Sequence, residues 1–147
     1  NMNLLTEIAE NKSIRIVNEV PSSTEVWSDP NQIDIVVRNL ISNALKFTPE
    51  NGMVTIRADE REDHWEVSIR DTGVGMDRVT LQKIFEPKNN HSTYGTANEK
   101  GTGLGLALCK EMVEKNHGKI WVDSMLRKGS TFYFSLPKSS ENYIQAV

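Results

Sequence analysis

The chain contains a single cysteine, Cys109, in 147 residues, so no internal disulfide can staple it and the fold must rest on a packed core. It lacks any run of about 18 apolar residues, which excludes a membrane-crossing helix of ordinary length within the sequence. It also lacks an excess of basic charge. The 17 Lys and Arg against 20 Asp and Glu leave a net charge of -3, which argues against nucleic acid as a partner. Repeats and low-complexity tracts are absent, and no charged-then-apolar leader opens the chain. What remains, 37% hydrophobic and 25% charged residues, fits one globular domain spanning residues 1 to 147 and is too short for two. Asn1-Met2 runs directly into the apolar-periodic Leu4, Leu5 and Ile8, so the chain reads as an excised piece whose N-terminal neighbour is missing. The expected setting is a reducing, cytoplasmic one, and a membrane anchor elsewhere in the parent protein is compatible with it.

Helical and strand periods alternate along the chain. Residues 4 to 11 read as the end of a helix, followed by a strand through Ile14, Ile16 and Val20 into Pro21. From Pro30 to Phe47, the residues Ile33, Val36, Val37, Leu40, Ile41, Ala44 and Leu45 recur at three- and four-residue spacing, which predicts a helix with one buried face. Asp29 stands where an N-cap belongs, with Pro30 at the first helical position. After Asn51-Gly52, the segments Val54/Ile56/Ala58 and Trp65/Val67/Ile69 alternate with period two and predict an antiparallel hairpin. A short helix is expected at about residues 77 to 85, a polar loop at 88 to 100, and a further helix at 104 to 115 with Gly118 as its C-cap signal. Strands at 119 to 124 and 130 to 136 precede a polar tail at 138 to 147. The sum is an α+β, two-layer α/β sandwich, with a mixed, mostly antiparallel sheet and helices on one face.

Chemistry enters first on the long helix. At about 100° per residue, Asn39, Asn43 and Lys46 fall within an arc of about 60° beside the apolar stripe. A merely solvated face favours glutamate or lysine, and asparagine is a poor helix former, so two asparagines four apart call for another reason. A carboxamide oxygen is a hard, neutral ligand suited to Mg²⁺, and Lys46 one turn on supplies a cation for phosphate.

Two glycine-rich stretches follow. Asp71-Thr72-Gly73-Val74-Gly75 places a carboxylate at a strand end, with glycines that let the chain pass closely by a ligand. Gly101-Thr102-Gly103-Leu104-Gly105 precedes a helix, where free N–H groups and the helix dipole favour an anion. A Walker A loop is excluded, because Lys100 precedes Gly101 rather than following it. The dinucleotide fingerprint fails too, since no strand leads into the G-x-G-x-G run.

In this order and at these separations, the residues resemble the histidine-kinase branch of the ATP-binding superfamily that includes gyrase, heat-shock chaperones and mismatch-repair proteins. NLISNALKFTPENG looks like its N box, DTGVGM its first glycine box, Ile84-Phe85-Glu86-Pro87 its F box, and GTGLGLAL its second glycine box. HGKIWV followed by GSTFYFSLP is similar to its closing hairpin. The likeness covers residues 4 to 137 and implies a Bergerat-type fold.

The resemblance implies roles for single positions. Asn43 would coordinate Mg²⁺, with Asn39 as its polar neighbour and Lys46 as a phosphate contact. Phe47 would pack near the adenine of ATP, and Asp71 would accept from the adenine amino group while Gly73 and Gly75 bring backbone close to the base. Gly101, Thr102, Gly103, Leu104 and Gly105 would form the hinge and phosphate cradle under a lid at 88 to 100, with Phe85 as its anchor and Lys100 as a further phosphate ligand. The lid departs from the family in having no second phenylalanine after Pro87. Where hydrolysing members carry a glutamate, this chain has Asn39, which cannot act as a general base near neutral pH, and the site therefore favours phosphate transfer over hydrolysis.

None of the three histidines, His64, His91 and His117, stands in an H-E-x-x-x-P setting, so the acceptor histidine is expected on another domain. The implied partners are a histidine-bearing dimerisation domain and a response-regulator receiver, with a monomeric fragment and a homodimeric parent. An ATPase or serine kinase of the same fold, and a non-enzymatic nucleotide sensor, are the alternatives. Cys109 reads as a small core residue, and Trp27, Trp65 and Trp121 as core or rim packing.

Overall fold

The computed structural model describes residues 2–86 and 105–139. The elements run α1 (Met2–Asn11), β1 (Arg15–Glu19), α2 (Pro30–Phe47), β2 (Met53–Glu60), β3 (His64–Asp71), α3 (Arg78–Lys83), α4 (Gly105–Lys115), β4 (Ile120–Met125) and β5 (Gly129–Pro137). The strands form one sheet in the order β1-β2-β3-β5-β4. The β1–β2 pair is parallel and the other three pairs are antiparallel, so the expected mixed sheet is the observed one.

Strand alternation separates the two faces of the sheet. In β5, Ser130, Phe132, Phe134 and Leu136 are buried while Thr131, Tyr133 and Ser135 are half-buried on the other face. The inward set shares one core with Ile69 of β3, Val54 of β2 and the stripe Val36, Leu40, Ile41, Ala44 and Leu45 of α2. Cys109 and Val113 of α4 and Leu5 and Ala9 of α1 complete this core. Phe132 and Phe134 are its largest side chains, and truncating either to alanine is expected to cost about 3 to 5 kcal/mol. On the outer face, Trp121 stacks on Tyr133 with ring centroids 5.3 Å apart, the rim packing expected for that tryptophan. Trp65 is core, and Trp27, outside any strand, has its backbone N–H bonded to the Pro137 carbonyl at 2.8 Å.

The helix signals act as anticipated at the start of α2, where Asp29 Oδ1 accepts from the N–H of Asn31 and Gln32 at 2.9 and 3.3 Å. The end of α4 differs from the expectation that Gly118 supplies the C-cap turn. The left-handed residue is His117, with φ of 62°. Its N–H bonds the Glu114 carbonyl and that of Gly118 bonds the Val113 carbonyl, both at 3.0 Å, which is a Schellman arrangement closed one residue earlier. Gly118 is needed for a different reason, because a Cβ there would stand 1.8 Å from the Ser135 carbonyl oxygen.

Candidate functional site

Asp71 is the last residue of β3 and points to the covered side of the sheet, where it is buried. Its Oδ1 accepts from the N–H of Gly73 at 2.9 Å and of Ser130 at 3.2 Å, and Oδ2 receives no bond from the described residues. Burial raises the pKa of this carboxyl, opposed by those two N–H groups. Oδ2 is thus available to accept from a ligand N–H, a bond that would favour the ionised form.

The loop after Asp71 is clamped from two sides. The Val74 N–H bonds the Phe47 carbonyl at the end of α2 at 3.2 Å, and the Val74 carbonyl accepts from the Arg127 N–H in the β4–β5 turn at 2.7 Å. The Met76 N–H adds a bond to Ser124 Oγ at 2.9 Å. The glycines are what permit this. A Cβ on Gly73 would meet the Phe47 carbonyl oxygen at 2.4 Å, and one on Gly75, which has φ of +71°, would meet that of Met125 at 2.0 Å. Their immediate requirement is thus approach to the protein's own backbone.

The polar row of α2 forms the other wall. Asn39, Asn43, Lys46 and Phe47 are all half-buried, as expected for residues beside the apolar stripe. Lys46 Nζ lies 4.8 Å from the centroid of the Phe47 ring, a cation–π distance. Helix α4 runs antiparallel to α2. Asn116 at its far end bonds the Asp29 N–H at 2.7 Å and Gln32 Oε1 at 2.8 Å, Cys109 Sγ reaches the Val36 carbonyl at 3.8 Å, and Gly105 faces Asn39, whose Oδ1 would lie 3.7 Å from an added Cβ. This register brings the first turn of α4 beside the third turn of α2. Burial pushes the Cys109 thiol up to about 12, partly offset by a hydrogen bond with Asn39, so the cysteine is a core residue and Asn39 is engaged on its α4 side.

Phe85 packs edge-on against Phe132 of the core, with centroids 6.2 Å apart at 87°. The lid at 88 to 100, together with Lys100, Gly101, Thr102, Gly103 and Leu104, lies outside the described residues, as does most of the tail. The structure thus brings Asp71, Gly73, Gly75 and Phe47 together, and sets Asn39 beside Gly105. The sequence reading missed Ser124 and Ser130, whose Oγ atoms stand 2.7 Å apart beneath the loop. A signal for Ser130 existed, since it is a serine in the inward phase of a strand otherwise alternating Phe132, Phe134 and Leu136.

Residues 28–140 match the family model described as histidine kinase-, DNA gyrase B- and HSP90-like ATPase. The chain is 37% identical over 138 residues to the sensor histidine kinase WalK of Bacillus subtilis, covering 92% of this chain and 23% of that protein. It is 40% identical over 134 residues to the adaptive-response sensory kinase SasA of Rippkaea orientalis, covering 89% of this chain and 34% of that one. It thus spans about a quarter to a third of the length of these relatives. Among solved structures, the catalytic domain of histidine kinase ThkA superposes with a TM-score of 0.79 at 31% identity, covering 95% of this chain and 88% of that domain. A complex of ThkA with the response regulator TrrA matches with a TM-score of 0.74 at 29% identity, covering 94% of this chain and 38% of that one. With its ATP-binding fold, its buried strand-end carboxylate and these matches, the chain belongs to the histidine kinase-, DNA gyrase B- and HSP90-like ATPase family, as a catalytic domain of the histidine kinase branch.

Proposed function

We propose that this domain binds Mg-ATP between α2 and α4 and donates the γ-phosphate to a histidine on a separate dimerisation and phosphoacceptor domain. The observation that carries the reading is Asp71, a buried carboxylate with Oδ1 saturated by the Gly73 and Ser130 N–H groups and Oδ2 without a partner among the described residues. An oxygen so placed selects a purine bearing an amino group, because a carbonyl at the same position would leave two acceptors facing each other. Phe47 would flank the base, with Gly73 and Gly75 keeping the loop close to it.

ATP supplies the group to be transferred, and Mg²⁺ neutralises charge on its phosphates. The residues fit that cation: half-buried Asn43 on α2 offers a hard, neutral amide oxygen, which suits an ion otherwise held by phosphates and water. Asn43 would be that amide ligand, while Lys46, Lys100 and the run Gly101, Thr102, Gly103, Leu104 and Gly105 would hold phosphate, with Phe85 anchoring the lid. Catalysis of phosphoryl transfer is mostly positioning and charge stabilisation, and Asn39 offers no base to activate water. The reading places the domain in the cytoplasm, monomeric as a fragment, within a homodimeric parent that passes phosphate on to a response-regulator receiver.

The test mixes the domain with γ-labelled ATP and a histidine-bearing helical acceptor domain. A magnesium-dependent label that is acid-labile and alkali-stable is the expected product. No transfer, or an acid-stable ester, would overturn the assignment.

A further inference from the structure

The last four carbonyls of a helix have no intrahelical partner along the backbone ladder, and in α2 they are satisfied by three different residues. The Ala44 carbonyl accepts from Thr48 Oγ1 at 2.6 Å, and that of Phe47 accepts from the Val74 N–H at 3.2 Å. The two between them, Leu45 and Lys46, accept from Lys12 Nζ at 2.9 and 3.3 Å. Lys12 is buried, with 7% of its surface exposed, which is rare for lysine unless its ammonium is paired. It is the residue immediately after α1, whose Leu5 and Ala9 pack into the core. The backbone around it is pinned as well. Ser13 is left-handed with φ of 54°, the Ile14 N–H bonds the Ala9 carbonyl at 2.8 Å, and the Asn51 N–H bonds the Lys12 carbonyl at 3.2 Å.

We infer that Lys12 is a positioning residue that ties α1 to the C-terminal end of α2 and so sets where Lys46, Phe47 and the Asp71 loop stand. The ammonium lies at the negative end of the α2 dipole, where a cation is favoured, and its two bonds are charge-assisted. The carbonyls it holds adjoin the Phe47 carbonyl that receives Val74. A displacement of α1 can therefore reach the nucleotide side of the domain through this side chain in addition to the shared core packing. Lys12 itself stands outside the residues matched by the family model, which begin at 28. This inference rests on the proposed ATP site for its consequence, though not for its geometry.

The experiment uses this chain with Lys12→Met, which keeps the apolar stem and removes the donor, and Lys12→Arg, which restores a donor. Without nucleotide, hydrogen exchange at Val74 should quicken by about tenfold in Lys12→Met relative to amides in β3 and β5, as expected for loss of bonds to a charged donor. Mg-ATP affinity, measured by calorimetry well below the melting temperature, should fall by about tenfold and be largely recovered in Lys12→Arg. If exchange quickens uniformly, or if affinity is unchanged while the melting temperature drops, Lys12 only stabilises the fold and the inference is wrong. If Lys12→Met does not fold, Lys12→Arg decides: a folded Arg variant must retain both the Val74 protection and the affinity. A wild-type chain that binds no Mg-ATP, with Val74 exchange still selectively raised in Lys12→Met, would remove the nucleotide reading and leave the positioning role standing.

Discussion

The two walls of the site are built in opposite ways. On the Asp71 side, a loop of a few residues is bonded to the end of α2, to the β4–β5 turn and to β5, with its carboxylate oriented by two backbone N–H groups. On the α2 side, Asn39, Asn43 and Lys46 stand on a single helix and owe their alignment to helical geometry. The first wall is preorganised and intolerant of change. The second presents half-buried side chains on a helix whose buried face is made by other residues, Val36, Leu40, Ile41, Ala44 and Leu45. Under the proposed function, selection of the base would fall to the first wall, and contact with phosphate and metal to the second.

Substituting the loop should break this contrast most severely. Gly75→Ala must place a Cβ 2.0 Å from the Met125 carbonyl oxygen in a left-handed conformation, and we expect a loss of about 2 to 4 kcal/mol in urea unfolding, together with nucleotide binding. An unchanged midpoint would mean that the clamp is not tight.

Asp71→Asn sharpens the contrast without dismantling it. The amide oxygen can still accept from Gly73 and Ser130, so the fold should persist, while the other atom becomes a donor facing a donor. ATP affinity should fall by about thirtyfold or more, and the preference for ATP over GTP should shrink. Preserved discrimination in a competition assay would assign base recognition elsewhere. On the helical wall, Asn43→Ala should change folding stability by no more than about 0.5 kcal/mol, since the residue is only half-buried, yet remove the magnesium-dependent part of ATP affinity. Equal calorimetric affinity with and without magnesium in wild type would eliminate that role.

The smallest expected effect is on pH dependence. Burial raises the Asp71 pKa above the ordinary carboxylate value, so the folded state holds this proton more tightly than the unfolded state does. The stabilising contribution is fully present below about pH 3.8 and is lost as pH rises through the folded pKa. Relative to wild type, Asp71→Asn should therefore be more stable at pH 7 than at pH 3. A flat difference between those pH values would mean that the two N–H bonds fully compensate burial.

The sequence by itself determined the elements, their order, and the inward faces of α2 and of the β2–β3 hairpin. Those features are local: periods of 2 and 3.6, a cap at Asp29, and motifs that keep amide, carboxylate and glycine at fixed spacing. It marked glycine at 52, 73, 75 and 118 without showing what each one answers to. At Asn51-Gly52 and His117-Gly118, the left-handed residue is the one before the glycine, with φ of 69° and 62°. The glycines themselves are required because Thr48 and the Ser135 carbonyl stand where a Cβ would go. Lys12 reads in sequence as one more polar residue at a helix end, and its burial under α2 depends on a partner 33 residues away. Only tertiary structure decides such contacts, because a collision or a bond between distant segments leaves no period in the chain, while local propensity and patterning do.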